Sequence, residues 1–243
     1  MDASRTNNVA AAPPPGGVRP TAGIGGSMAR FTIAQDHLYT VDESTMRVYN
    51  VTRPNDPTPG AILNVGWGIE TIFPYKDKLF IGSQTGMFIF DAANPAQPTQ
   101  LSTFSHMMSC DPVVVDDQYA YVTLRSGPTC RNTTLNQLDV VDITDLRNPR
   151  LVKTYPMQNP HGLGKDGNTL FVCDGTAGLK VYDAADVQGI DQNQLGTQNI
   201  HSYDVIPFGN VAIVVGDDGL YQYDYSDPKK LKLLSKIVVQ KAQ

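Results

Sequence analysis

Carboxylates and imidazoles recur at related places along the 243-residue chain. Counting nine residues back from Leu79, Ala120 and Leu170, each in an apolar run, reaches Glu70, Asp111 and His161. Tyr203 holds the matching place near the C-terminus, with Asp204 beside it, and Trp67, Arg125 and His201 lie close by in sequence. If these places converge, the carboxylates of Glu70, Asp111 and Asp204 are hard oxygen ligands of the kind calcium takes. His161, between Pro160 and Gly162, then stands as a ligand or proton acceptor. In a purely structural role it holds the turn that those two neighbours set. The same groups suit binding without catalysis, because an aromatic ring, a guanidinium, carboxylates and imidazoles combine apolar area with directional polar contacts. They can also pair among themselves, Arg125 with Asp111 or Glu70.

Other chemistries lack support. No Gly-x-Ser-x-Gly, His-Glu-x-x-His or phosphate-binding loop occurs, which removes the motif basis for hydrolase, zincin and nucleotide readings. Close Cys–Cys or His–His spacing, as zinc requires, is missing too. A formal net charge of −5 without basic runs argues against nucleic acid or an anionic membrane as the main partner. No apolar run approaches the ~18 residues of a membrane span. With 41% apolar residues the chain can build a core, and its 21 glycines and 17 prolines suit many short strands joined by turns.

The elements that position these residues repeat. An apolar run ending in Asp or Asn recurs five times, closing at Asn50, Asp91, Asp142, Asp183 and Asp224, with spacings of 41, 51, 41 and 41. The long interval is an insertion within Ser126–Gln137. Each unit reads as four strands; in the second these are Glu70–Phe73, Leu79–Gly82, Met87–Phe90 and Leu101–Phe104. Gly86, Gly178 and Gly219 sit just before third strands, where a tight hairpin needs positive φ. The closing Asp can bond its own backbone two residues on, and Pro95, Pro149 or Pro228 then stops strand pairing. Four-stranded units at ~40–45 residues indicate an all-β propeller with five visible blades, on their own or as part of a larger ring. Their bounds are about 28–66, 67–108, 109–157, 158–200 and 201–243. First strands line the central channel, so the residues named above gather at one mouth of it, and the turns Tyr75–Lys78, Asp116–Gln118 and Lys165–Asn168 form the opposite face. The first strand, in 28–35, is expected to close the ring against the blade ending near Val239.

Leu138-Asp139-Val140-Val141-Asp142-Ile143-Thr144-Asp145 followed by Asn148-Pro149 resembles the repeat core of the LVIVD-repeat β-propeller family. Phe88-Ile89-Phe90-Asp91 and Lys180-Val181-Tyr182-Asp183 are similar to it, and the resemblance covers about residues 28–243. The fourth unit departs from it, running Ala184–Ile190 without the proline. The resemblance implies a bacterial surface or periplasmic protein, often lipid-anchored, without an assigned activity. An oxidising compartment allows a Cys110–Cys130 disulfide tethering the insertion, with Cys173 left free and buried.

Residues 1–27, rich in proline, glycine and alanine, read as a flexible linker with no signal-peptide pattern. The expected function is therefore a non-catalytic binding or scaffolding propeller of the cell surface or periplasm. It would recognise a protein or glycan through Trp67, Glu70, Asp111, Arg125, His161, Tyr203 and Asp204, with no cofactor. The alternative is a calcium-assisted hydrolase of lactonase type, with Glu70, Asp111 and Asp204 as ligands.

Overall fold

The computed structural model describes residues 26–105, 112–127 and 135–239. Twenty strands form five four-stranded antiparallel sheets, each a meander of consecutive strands, arranged as a five-bladed β-propeller. Blade 1 holds β1–β4 (Phe31–Ala34, His37–Val41, Thr45–Asn50, Thr58–Asn64) and blade 2 holds β5–β8 (Ile69–Tyr75, Lys78–Ser83, Gly86–Asp91, Thr99–Ser105). In blade 3 are β9–β12 (Val113–Val115, Tyr119–Leu124, Gln137–Asp142, Arg150–Pro156), and in blade 4 β13–β16 (Leu163–Asp166, Thr169–Cys173, Leu179–Asp183, Gln194–Gln198). Blade 5 holds β17–β20 (Ser202–Phe208, Val211–Gly216, Gly219–Asp224, Lys232–Val238).

The repeated residues do the repeated work. Asn50, Asp91, Asp142, Asp183 and Asp224 each accept, through Oδ1, the backbone N–H two residues on, at 2.8–2.9 Å. That bond turns the chain out of the third strand. Beside it every third strand meets its fourth across a bulge, for example between Ile89 and Phe90. Gly86 and Gly219 have φ of +155° and +153°, and a Cβ on either would lie 2.2 Å from a carbonyl oxygen of the fourth strand. Asp142 also accepts from the Thr144 hydroxyl. Asp142→Ala is expected to cost about 1 kcal/mol, the net worth of such bonds at a partly exposed turn, measurable by urea unfolding. Blade 4, which lacks the proline, still forms its outer strand: the short helical turn Ile190–Gln192 buries Ile190 and leads into β16.

Middle strands of the inner blades are buried on both faces, as in β6, β10 and β14. Buried apolar clusters fill the four interfaces from blade 1–2 to blade 4–5. Among the described residues no such cluster joins blade 5 to blade 1. Phe31 (61% exposed) and Phe208 (57%) stay in solvent, as do Ile33 and Val215. The first strand therefore does not pack on the last blade as expected. The repeat itself accounts for this. Gln222 stands where the other blades bury Val48, Ile89, Val140 and Val181, and Thr40 where they bury Ile81, Val122, Val172 and Val214. These two polar replacements take away apolar partners at the centre of the facing sides, which still expose Phe31, Ile33, Phe208 and Val215.

The link across the ring is made by Gly26–Arg30. Composition placed Ser27 in a flexible tail, yet it is fully buried. Its Oγ accepts from Leu163 N at 2.8 Å in blade 4 and donates to Asp204 Oδ1 at 3.1 Å in blade 5. On the far side the Ala29 carbonyl accepts from Ile72 N at 2.9 Å, and Arg30 donates to the Ile69 carbonyl at 2.7 Å. Paired side-chain and backbone groups, which apolar counting overlooks, recruit this segment into the fold. Among the described residues no helix is long and apolar enough to cross a membrane.

Candidate functional site

The starts of the first strands and the strap Gly26–Arg30 enclose a cavity of about 270 Å³ at the channel mouth. Blade 2 contributes Glu70 and Thr71, blade 3 Pro112 and Arg125, blade 4 His161, and the strap Met28 and Arg30. Sequence reasoning thus placed Glu70, Arg125 and His161 together. It missed Met28, Arg30, Thr71 and Pro112, although the nine-residue count applied to Leu38 reaches Ala29, next to Arg30.

His161 is built in firmly. Asp174, fully buried, accepts from Gln158 N at 3.0 Å, Asn159 N at 2.7 Å and Lys180 Nζ at 2.5 Å, which fixes the loop. His161 N donates to the Cys173 carbonyl at 2.7 Å, and the Thr123 hydroxyl donates to the His161 carbonyl. Asn159 Nδ2 lies 3.2 Å from His161 Nε2. With that amide donating, the ring proton resides on Nδ1. Only 8% of the residue is exposed. Burial, with Arg125 and then His201 nearby, pulls its pKa down to about 4, against the opposing pull of Asp174. The ring is neutral at pH 7.

Arg125 loses hydration in the wall, which holds its pKa below the usual guanidinium value, and the Glu70 carboxylate opposes that. Glu70 accepts from Gln84 Nε2 at 3.2 Å. Tyr203 backs the site: its ring meets His161 edge-on at 5.2 Å and His201 at 4.8 Å, and its hydroxyl donates to Asp217 at 3.0 Å.

Asp204 has a different occupation. Val205 N, the Ser27 hydroxyl and the backbone N–H groups of Met28 and Ser27 all donate to it. Burial outweighs those bonds and pushes its pKa up to about 6. Gly26 and Gly162 pack so tightly on the carboxylate that a Cβ on either would lie 2.1 Å from one of its oxygens. Trp67 is half exposed, between Gly66 and Gly68, and is not among the residues lining the cavity. Asp111, Cys110 and Cys130 lie outside the described residues, so the calcium set and the disulfide are not placed. Among the described residues no three His, Cys, Asp or Glu side chains are grouped to hold a metal ion. Cys173 is buried and free, its thiol pKa pushed up by burial.

On the opposite face a hollow of about 280 Å³ lies between blades 2 and 3. Its charges are engaged with each other: Lys76 and the Tyr75 hydroxyl both bond Asp117, and Lys78 lies 2.8 Å from Asp77. Lys165, against the Tyr121 ring, pairs with Asp116 at 2.8 Å. The bonds to Asp117 tie blade 2 to blade 3, and the Lys165–Asp116 pair ties blade 4 to blade 3.

No protein-family model matches the chain, and no curated protein matches it in sequence. The LVIVD resemblance therefore stays one of repeat sequence. Solved structures do match. The periplasmic gluconolactonase PpgL of Pseudomonas aeruginosa is 15% identical, with a TM-score of 0.60 over 84% of this chain and 68% of its own. Apo AztD from Citrobacter koseri is 12% identical, with a TM-score of 0.60 over 84% of this chain and 60% of its own. BamB from Moraxella catarrhalis is 12% identical, with a TM-score of 0.56 over 87% and 64%. At such identities they show the fold alone, and this chain spans about three fifths to two thirds of their length.

Proposed function

We propose that this propeller is a non-catalytic binding protein of the bacterial envelope, which recognises one residue of a protein or glycan ligand in the channel-mouth cavity. The observation that supports it is the meeting of Glu70, Arg125 and His161, from three blades, on one cavity that also has apolar walls in Met28 and Pro112. The envelope location draws on the repeat resemblance and on neighbours that include a periplasmic protein. The alternative, a calcium-assisted hydrolase using Glu70, Asp111 and Asp204, has less support, because Asp204 is committed to the strap.

Screening the protein against a glycan array and a peptide library tests the reading. Glu70→Ala and His161→Ala should fold and lose at least tenfold in affinity for whatever the wild type retains, whereas Lys76→Ala on the opposite face should match the wild type. Loss in Lys76→Ala with unchanged binding in the other two overturns the assignment of the face. Melting with calcium and with chelator should give the same temperature; stabilisation by calcium supports the hydrolase instead.

A further inference from the structure

We propose that this chain associates head to tail with a second copy of itself, blade 5 of one copy packing on blade 1 of the other. Each of the four interfaces within the chain joins a leading face, turned to the following blade, to a trailing face, turned to the blade before. The leading face of blade 5 and the trailing face of blade 1 share no buried cluster among the described residues. Within one chain Gly26–Arg30 separates them, since Ser27 sits on Asp204 in β17 and Arg30 precedes Phe31 in β1. Both faces have the pattern of a buried one. On blade 5, Ile213 holds the place of the buried Phe80 of blade 2, and Leu220 that of the buried Met87. On blade 1, Phe31 holds the place of the buried Ile72, and Leu38 that of the buried Leu79. Ile213, Leu220 and Leu38 are partly exposed, and Phe31 largely so.

The polar residues on the two faces select the occupant. In every interface within the chain, the residues at the places of Gln222 and Thr40 belong to one buried cluster: Val48 with Ile81, Ile89 with Val122, Val140 with Val172, and Val181 with Val214. Gln222 and Thr40 therefore meet when blade 5 of one copy packs on blade 1 of another. Gln222 Oε1 accepts from the Ser235 hydroxyl at 2.9 Å, so its amide N–H groups face the Thr40 hydroxyl as donors. A different apolar partner would bury both residues without that match and leave their polar groups unsatisfied. The area is sufficient as well. A face of four strands, about six residues each, covers roughly 400 Å², so one contact removes roughly 800 Å² and the two contacts of a closed pair roughly 1,600 Å², the size of a stable interface. Because the two faces differ, the contact is heterologous, and it closes as a ring or runs on as a row of copies.

Sedimentation equilibrium of the intact chain from about 1 to 200 μM tests this. The average mass should rise with concentration from that of one chain to that of two or more. Phe31→Lys with Ile33→Lys blocks only the face on blade 1, and Phe208→Lys with Ile237→Lys only the face on blade 5. All four side chains are more than half exposed, so circular dichroism should show an unchanged fold in both double variants. Each alone should keep the mass of one chain. Their equimolar mixture, which restores one matched pair of faces, should reach twice that mass and no more. Gln222→Val should weaken association of the otherwise unaltered chain at least fivefold, and adding Thr40→Val should restore it.

A single-chain mass at every concentration overturns the proposal and leaves the two faces to a different protein. Association that persists in both double variants overturns it by placing the contact elsewhere, and so does a mixture that stays monomeric. Additive effects of Gln222→Val and Thr40→Val would show that the two residues do not meet, which overturns the head-to-tail packing of blade 5 on blade 1.

Discussion

Asp204→Ala is expected to lower the unfolding free energy by about 2–4 kcal/mol and to free the strap from the channel mouth. The Ser27 hydroxyl, the backbone N–H groups of Ser27 and Met28, and Val205 N share this carboxylate as acceptor. Alanine leaves those buried donors without it, and each unsatisfied group costs about 1–3 kcal/mol, reduced where water can enter. Ser27→Ala removes fewer bonds, those to Leu163 N and Asp204, and should cost about half as much. Urea unfolding gives the energies, and hydrogen exchange locates the effect. In both variants the amides of Leu163 and Ile72, which the strap holds at its two sides, should lose protection while those of β10 and β14 do not. The facing sides of blades 1 and 5 leave Phe31, Ile33, Phe208 and Val215 exposed, and no buried cluster joins them among the described residues, which makes this bridge important. Unchanged protection at Leu163 in Asp204→Ala would show that the strap does not close the ring.

Period and turn chemistry made the blades readable, because both are local. A third strand that ends in Asp, preceded by a glycine where the fourth-strand carbonyl leaves no room for a Cβ, states its geometry within a dozen residues. The first-strand positions followed from the same count, which is why Glu70 and His161 were found. Closure was not local. Nothing in Phe31–Ala34 alone says that blade 5 stays off it; only the alignment of Gln222 with Val48, Ile89, Val140 and Val181 does so. The strap was hidden for another reason. Gly26-Ser27-Met28 has the composition of a linker, and its place depends on a carboxylate 177 residues away. Asp204 accordingly looked like a channel-mouth ligand, when its visible partners belong to the chain itself.

The stability of the wild type should be nearly independent of pH between about 6.5 and 4, and two single substitutions should tilt it in opposite directions. His161 has its pKa pulled from 6.5 to about 4 in the folded state. Within that window the unfolded chain binds the extra proton, so this group's contribution is intact above 6.5 and is lost as pH falls towards 4. Asp204 has its pKa pushed from 3.8 to about 6. Here the folded state binds the extra proton, so stability falls as pH rises through 6 and is regained on acidification towards 4. At 1.36 kcal/mol per unit of pKa, each contribution spans about 3 kcal/mol, and the two nearly cancel. His161→Gln keeps polar capacity and removes the first contribution, so it should gain stability between pH 6 and 4. Asp204→Asn removes the second, so it should lose stability between pH 6.5 and 4, starting from a lower value because one carboxylate oxygen becomes a donor. Carboxylates held low by their partners, such as Asp116 beside Lys165, release their stabilisation chiefly below about pH 4 and leave the window clear. Urea unfolding at half-unit steps of pH gives the three slopes. Parallel slopes in the wild type and both variants would mean that neither group is held as the buried mouth of this channel requires.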